Sequence, residues 1–437
     1  MLTLPRGARR LKSARHQTHA DGGTEVSARV AQLLGRVDAA EPERMEREIL
    51  RLSREFDGGP ADPVVSEEMK RQARAMLDPA LAAHIRFAHD NIRRFADMQR
   101  AALIDCEMEV IPGLIAGQRQ IPVDCAGCYV PGGRYVHIAS ALMTVTTARA
   151  AGVGKIVAAT PPRQGGLHPA VTYALDIAGA DRILALGGVQ AVAALAHGAF
   201  GGRPADVIAG PGNALVAEAK RQLYGEVGID MVAGPTDSLV IADRSAHPAW
   251  VAADLVGQAE HGATSPVWLV TDDADLAREI AVAVAHAIAS LPEPNRVAAA
   301  AAWEDWAEII LCDGRETMAQ VADLYAPEHL HVQAGDLDWW LGRLRCYGSL
   351  FLGEEVTVPF GDKVSGPNHV LPTARAARYT GGLSVQKFLR TVTWQRADRR
   401  AADRLALSAA ALSRAEGMEG HARSAELRCT PPALRTA

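Results

Sequence analysis

Five residues with lone pairs suited to a divalent metal stand out along the chain: Gln258, His261, Asp362, His369 and His421. Gln258-Ala259-Glu260-His261 falls in a helical pattern that begins near Trp250. Residues three apart on a helix share a face, so Gln258 and His261 can reach one ion. Asp362 and His369 lie in residues 361–373, a stretch rich in Gly, Pro and Asn. That composition predicts a loop, the kind of segment where functional side chains concentrate. One amide carbonyl, two imidazoles and one carboxylate form a nitrogen and oxygen donor set that suits zinc. With a single anionic ligand the ion keeps net positive charge, which favours an alcohol oxygen losing its proton. Glu328 and His329 are adjacent, after Ala326-Pro327. A carboxylate beside an imidazole is equipment for general-base work near neutral pH. Each residue also has a plainer explanation: His168, His197 and His286 read as surface or capping residues, and a Glu-His pair alone is a weak signal.

These residues need elements to hold them. From about Val26 to Arg100 the apolar residues recur with the helical period, as in Val26-Val30-Leu33-Leu34-Val37. A break follows at Ile111-Pro112-Gly113. Residues 156–160, 183–186 and 207–209 are short apolar runs, each followed by Gly or Pro and then a helical stretch: 169–178, 191–198 and 214–224. Strand, turn and helix in succession predict a parallel sheet with covering helices. A second set of strands is expected at 239–242, 267–271, 309–312 and 350–352. The reading is therefore two α/β domains, the middle one inserted into the other. Residues 1–23 read as a floppy basic arm, and the chain after about Gly382 as a mostly helical, charged tail.

Several function classes are excluded or left without support. The 437 residues carry a formal net charge of -5, with 48% hydrophobic and 22% charged residues. That gives no electrostatic footprint for nucleic acid or an anionic membrane surface, and no apolar run approaches a spanning helix. There is no GxGxxG; Gly210-Pro211-Gly212-Asn213 lacks the third glycine. A P-loop and a GxSxG elbow are missing too. Of six cysteines only Cys125 and Cys128 form a CxxC. They lie in residues 121–129, which read as a strand, so they are expected to be reduced structural thiols.

Taken in order, Tyr129-Val-Pro-Gly-Gly133, Gly210-Pro-Gly-Asn213, Gly234-Pro-Thr-Asp237, Gln258-Ala-Glu-His261, Tyr325-Ala-Pro-Glu-His-Leu330, Asn368-His-Val-Leu-Pro-Thr373, Gly382-Leu-Ser-Val385 and Glu416-Gly…His421 resemble the histidinol dehydrogenase family over roughly residues 26–428. The resemblance implies an α/β fold of two incomplete Rossmann-like domains with small N- and C-terminal helical appendages, in an intertwined dimer. The expected division is 1–23 as an arm, 24–128 with 237–382 as the first domain, 129–236 as the second, and 383–437 as a tail reaching the partner's site. It implies one zinc per subunit on Gln258, His261, Asp362 and His421, with His421 from the partner. Glu328 and His329 become the proton acceptors. Thr236, Gln258, His261, Glu328, Asp362, His369, Glu416 and His421 become substrate contacts, and Tyr129, Gln190 and Asn213 contacts to NAD.

The reaction implied is a four-electron oxidation of a primary alcohol to a carboxylate through an aldehyde, with two NAD, in a cytoplasmic homodimer. The family's biosynthetic members usually carry Gly-Pro-Ser-Glu and Gly-Asp-Tyr where this chain has Thr236-Asp237 and Asp362-Lys363. Residues 134–140, 361–368, 377–382 and 391–395 look closer to the sulfopropanediol 3-dehydrogenase branch, so 2,3-dihydroxypropane-1-sulfonate is the expected substrate, with L-histidinol the alternative. An anionic sulfonate would want a cationic clamp, for which His137, Arg375 and Arg378 are candidates. Rival classes are a zinc hydrolase using Glu328 without NAD, and a catalytically inactive interaction protein.

Overall fold

The computed structural model describes residues 2–16, 23–37, 39–133, 135–163 and 166–429; Arg134 and part of the expected N-terminal arm lie outside them. The strands in chain order are β1 (Ala8–Lys12), β2 (Cys106–Ile111), β3 (Leu114–Pro122), β4 (Cys125–Tyr129), β5 (Lys155–Thr160), β6 (Arg182–Ala185), β7 (Val207–Ala209), β8 (Gly228–Ile229), β9 (Ser238–Ala242), β10 (Val267–Thr271), β11 (Glu308–Cys312), β12 (His329–Gln333), β13 (Ser349–Leu352) and β14 (Leu389–Ala397). They form two parallel sheets in one compact unit, and a small antiparallel sheet in another.

The five-stranded sheet runs β6-β5-β4-β7-β8, all pairs parallel. Its central strands are buried on both faces by helices such as Ile138–Ala151 and Gly188–His197, which explains their unbroken small and apolar runs. The six-stranded sheet runs β1-β11-β10-β9-β12-β13; β9 to β13 are parallel and β1 is antiparallel at the edge. Leaving β1 aside, each sheet places its first strand third, with the second and third on one side and the fourth and fifth on the other. Crevices at such a reversal of strand order are where open α/β sheets receive ligands.

Helices Gly23–Leu34 and Pro42–Asp57, grouped with residues 237–382 in the expected division, share an apolar cluster with the five-stranded sheet: Val30, Met45, Ile49 and Leu52 pack with Leu184, Val192 and Ile208. The N-terminal arm is not floppy where it is described. Ala8–Lys12 pairs with β11, and Arg10 turns inward to Glu308, 3.1 Å away, and to the Tyr325 hydroxyl. That pairing satisfies a basic side chain that its sequence alone left looking solvated.

The second unit comprises residues 99–122 and 389–437. Its sheet runs β14-β3-β2, so the tail after Gly382 begins with a nine-residue strand before its helices Arg399–Ala415 and Glu419–Glu426. The alternation in Leu389-Arg-Thr-Val-Thr-Trp suits a strand with only one face covered. All six cysteines are free thiols, with Cys125 and Cys128 buried on β4. No helix among the described residues is long and apolar enough to cross a membrane.

Candidate active site

The carboxyl edge of the five-stranded sheet holds one group of expected residues. Tyr129 ends β4, Asn213 follows β7, and Gln190 stands in the first turn of the helix after β6. Strands β4 and β7 are the neighbours at which the strand order reverses, so Tyr129 and Asn213 flank the crevice. Asn213 caps the helix Ala214–Leu223, accepting from Leu215 N and Val216 N at 3.1 Å each. Gly210, with φ of 128°, has no room for a side chain, since a Cβ would sit 1.9 Å from the Tyr129 carbonyl oxygen. Its amide donates to Asp230 (2.8 Å) and its carbonyl accepts from Lys220 (2.9 Å), two charged residues that are themselves paired and buried.

The amino edge of the six-stranded sheet holds the other group. Thr236 and Asp237 lead into β9, Glu328 and His329 into β12, and Gln258 and His261 end the helix that returns from β9. Strands β9 and β12 pair His329 opposite Ser238, which brings the two leading segments together. Glu328 is buried; its Oε2 accepts from Thr236 Oγ1 (2.8 Å) and Asp237 N (3.3 Å). Asp237 in turn accepts from Glu328 N (2.7 Å) and Ala374 N (3.0 Å). This reciprocal pairing fixes the base from both sides. A Cβ on Gly348 would lie 2.5 Å from the Glu328 carbonyl oxygen, so that glycine is required by close packing.

His329 Nε2 lies 3.3 Å from Asp362 Oδ1, and Nδ1 lies 3.8 Å from Glu328 Oε2. Neither ring nitrogen has a well-directed hydrogen bond. Burial pushes the Glu328 carboxyl up to about 7 even though the neighbouring imidazole opposes it. Burial works against a charged His329, but Glu328 and Asp362 outweigh it and raise its pKa. For Asp362, burial is outweighed by His329, with His369 and Lys363 helping, and the carboxyl falls to about 2. A base that shares its proton at neutral pH thus sits beside a carboxylate that stays ionised.

The remaining residues converge from several elements. His369 Nδ1 meets the Asp362 carbonyl oxygen at 2.7 Å, and its Nε2 meets Ser140 Oγ at 2.9 Å. Ser140 lies in the first turn of the helix that follows β4. Tyr135 also crosses over, its hydroxyl donating to the Glu260 carbonyl at 3.4 Å. The carboxyl edge of one sheet therefore faces the amino edge of the other. Asp362 was expected in a loop; it occupies a short helix, Val358–Lys363, opened by a proline that suits a first turn.

His137, His261 and His369 are each held below the ordinary histidine pKa, foremost by loss of hydration and with Lys363 adding to it. His137 falls to about 4. His261 remains exposed despite this crowded surrounding. Lys363 itself is exposed, with no hydrogen bond or contact ion pair among the described residues. Sequence reasoning did not single it out as a functional residue; its position next to Asp362 was the available signal. Arg375 and Arg378, by contrast, direct their Nε groups to the carbonyls of Leu324 and Arg375, both at 3.1 Å.

Metal-donor chemistry is present in part. Gln258 is 1% exposed and its carbonyl oxygen has no hydrogen-bond partner, a costly state that a cation would relieve. Among the described residues no group of three or more His, Cys, Asp or Glu side chains is arranged to hold a metal ion. Glu416 and His421 belong to the second unit, where both are exposed. Of the histidines given plainer roles, His168 caps Pro169–Ala178 through Nδ1, and His197 lies 3.7 Å from Glu226.

Two parallel sheets, each wound about its first strand, with a buried acid-base pair at an edge of one, form an α/β fold with the equipment of an enzyme; the family it belongs to makes it an NAD-linked oxidoreductase. The chain belongs to the histidinol dehydrogenase family: the model of that family matches residues 16–429. A "Histidinol dehydrogenase homolog" of Ruegeria pomeroyi is 63% identical over 85% of this chain and 86% of its own length. A "Sulfopropanediol 3-dehydrogenase" of the same organism is 58% identical over the same shares. The crystal structure of histidinol dehydrogenase from Elizabethkingia anophelis superposes with a TM-score of 0.88 at 30% identity, covering 95% of this chain and 94% of that one.

Proposed function

We propose that the protein is a zinc-dependent, NAD-linked alcohol dehydrogenase that takes a primary alcohol through an aldehyde to a carboxylate. The balance is one alcohol, two NAD and one water giving one carboxylate, two NADH and three protons. The observation that carries this reading is the Glu328–His329–Asp362 cluster, whose charges act on His261, three residues after the orphaned Gln258 carbonyl. Gln258, His261 and Asp362, with His421 of a second subunit, would hold the zinc, which supplies positive charge favouring loss of the alcohol proton. His329, 3.3 Å from Asp362, would accept that proton in its neutral form. Glu328, oriented by Thr236 and the Asp237 amide, activates the water that adds to the aldehyde. His369 and Glu416 contact the substrate. Tyr129, Gln190 and Asn213 contact NAD, which accepts the hydrides when bound.

Two substrates fit this chemistry. At the level of the whole family the comparisons favour oxidation of L-histidinol to L-histidine, because the matched model and the solved relative both bear that name. The local charge favours an anion. Lys363 is an exposed cation with no contact ion pair among the described residues, and the 58% identical relative bears the name of a sulfonate diol enzyme. We therefore take 2,3-dihydroxypropane-1-sulfonate, oxidised to 3-sulfolactate, as the reading that the site's charge supports, and histidinol as the second.

The deciding experiment follows NADH absorbance with both alcohols, in zinc-loaded and chelator-treated protein. Efficient turnover of the sulfonate, abolished by chelation and restored by zinc, is the expected result. Turnover of histidinol alone would replace the substrate while keeping the chemistry. Hydrolase activity without NAD reduction would replace both.

A further inference from the structure

Asp57 ends the helix Pro42–Asp57, where Gly58 closes the turn with φ of 60°. It lies far in sequence from the expected NAD contacts, yet its Oδ2 accepts from Gly187 N at 3.1 Å and from Gln190 Nε2 at 2.6 Å. The next amide, Gly188 N, donates to the Tyr129 hydroxyl oxygen at 3.2 Å. The turn between β6 and its helix is packed closely: a Cβ on Gly187 would meet Pro161 at 2.5 Å and both Asp57 oxygens at 3.2 Å.

These bonds leave a defined pair of functional atoms. Gln190 spends an N–H on Asp57, so its carbonyl oxygen is the atom left to accept. Tyr129 accepts from Gly188, so its O–H is left to donate. A donor beside an acceptor matches a ribose diol or a carboxamide, the uncharged polar parts of a dinucleotide. We propose that Asp57 is a positioning residue for the cofactor: by anchoring the Gln190 amide and the Gly187 turn, it presents that carbonyl and the Tyr129 hydroxyl to NAD. This rests on the proposed NAD contact at Gln190 and adds the residue that sets it.

Burial raises the Asp57 carboxyl, while its hydrogen bonds to Gly187 and Gln190 favour the ionised form. The second effect is what makes it a strong acceptor for both donors. Replacing Asp57 by Asn leaves one carbonyl oxygen able to accept from Gly187 and Gln190 but removes the charge that strengthens both bonds.

The test measures NAD binding by calorimetry to the zinc-loaded protein for wild type, Asp57→Asn, Gln190→Ala and the double variant, with kcat at saturating NAD. Asp57→Asn should weaken NAD about ten-fold, the scale of taking the charge out of two charge-assisted bonds, with kcat at saturation little changed. The double variant should lose less than the sum of the two single losses, because part of the Asp57 effect passes through Gln190. Unchanged NAD affinity in Asp57→Asn, with loss in Gln190→Ala, overturns the role of Asp57 and leaves the NAD site standing. Unchanged affinity in Gln190→Ala removes the site and the proposal together. Additive losses also refute it. Should Asp57→Asn fail to fold, Asp57→Glu carries the same comparison, since the longer side chain moves the carboxylate off both donors.

Discussion

Lys220→Met tests whether the turn at Gly210 is held by charge. Lys220 and Asp230 are almost wholly buried and paired, and between them they grip both polar groups of Gly210. Met keeps the length and apolar stem but removes the ammonium. Breaking a buried pair by deleting one partner costs about 3–5 kcal/mol, because the other charge is stranded. Asp230 retains two donors, Gly210 N at 2.8 Å and Met231 N at 2.6 Å, so the low end of that range applies. A loss of about 3 kcal/mol corresponds to about 100-fold in an opening equilibrium.

A chain of two units need not unfold as one, so a single global midpoint is the wrong readout. Native-state hydrogen exchange reads the local opening instead. In Lys220→Met the amides of Gly210, Met231 and the first full turn of Ala214–Leu223 should lose about 100-fold of protection. β10 and its neighbours should keep theirs. Lys220→Met with Asp230→Asn removes both charges and should recover much of the loss. If Lys220→Met changes protection at Gly210 by less than about three-fold, the pair does not hold the turn and the argument from buried charge fails.

Other outcomes follow from the same geometry. Glu328→Gln preserves the acceptor for Thr236 but not the base, so aldehyde oxidation should slow about 100-fold or more in single-turnover measurements, well beyond alcohol oxidation; equal slowing would merge the two roles. In wild type, aldehyde oxidation should rise with pH through about 7, since a carboxyl raised to about 7 is a base only above it, and a flat profile from pH 6 to 8 would contradict this. Gln258→Leu and His261→Ala should each lose bound zinc by elemental analysis, whereas His197→Ala should retain it. Lys363→Met should raise KM for the sulfonate by about one to two orders of magnitude and leave an uncharged diol of equal length nearly unaffected; equal effects on both would assign Lys363 a structural role.

Much of the fold is legible in apolar periodicity, because both large sheets are parallel and buried. The stretches expected as strands at 156–160, 207–209 and 267–271 lie within β5, β7 and β10. Two of the strands left unpredicted, β12 and β1, carry polar residues that find partners only in the folded state. β12 reads His-Leu-His-Val-Gln, and its His331 is buried because Nδ1 meets Asp254 at 3.2 Å and Nε2 meets the Gly353 carbonyl at 2.9 Å. β1 carries three basic residues and is paid for by Glu308 and Tyr325. At the site, motifs pointed to Glu328, His329 and Asp362, and the structure brings these together. Asp57 was invisible because its importance comes from a contact 133 residues away. Asp237 stood inside a quoted motif, but only the fold reveals that it holds the Glu328 amide.

The two sheets share one winding order but use opposite edges, and this follows from what each edge can supply. The carboxyl edge of the five-stranded sheet ends in turns around Gly187, Gly188 and Gly210, where backbone can come close to a large polar ligand. The amino edge of the six-stranded sheet ends in side chains on rigid elements: Asp237 before β9, Glu328 before β12, and Gln258 at the end of a returning helix. Acid-base geometry demands that second kind of support, since a base must be held within fractions of an ångström of its proton. Ser140 and Tyr135, issuing from the carboxyl edge of the five-stranded sheet, reach His369 and Glu260 beside the amino edge of the six-stranded one. Under the proposed function, those two contacts would make the distance between hydride acceptor and base a property of the packing between sheets. Residues that tune that packing, rather than the base itself, are therefore where small substitutions would alter hydride transfer without altering the pKa of Glu328.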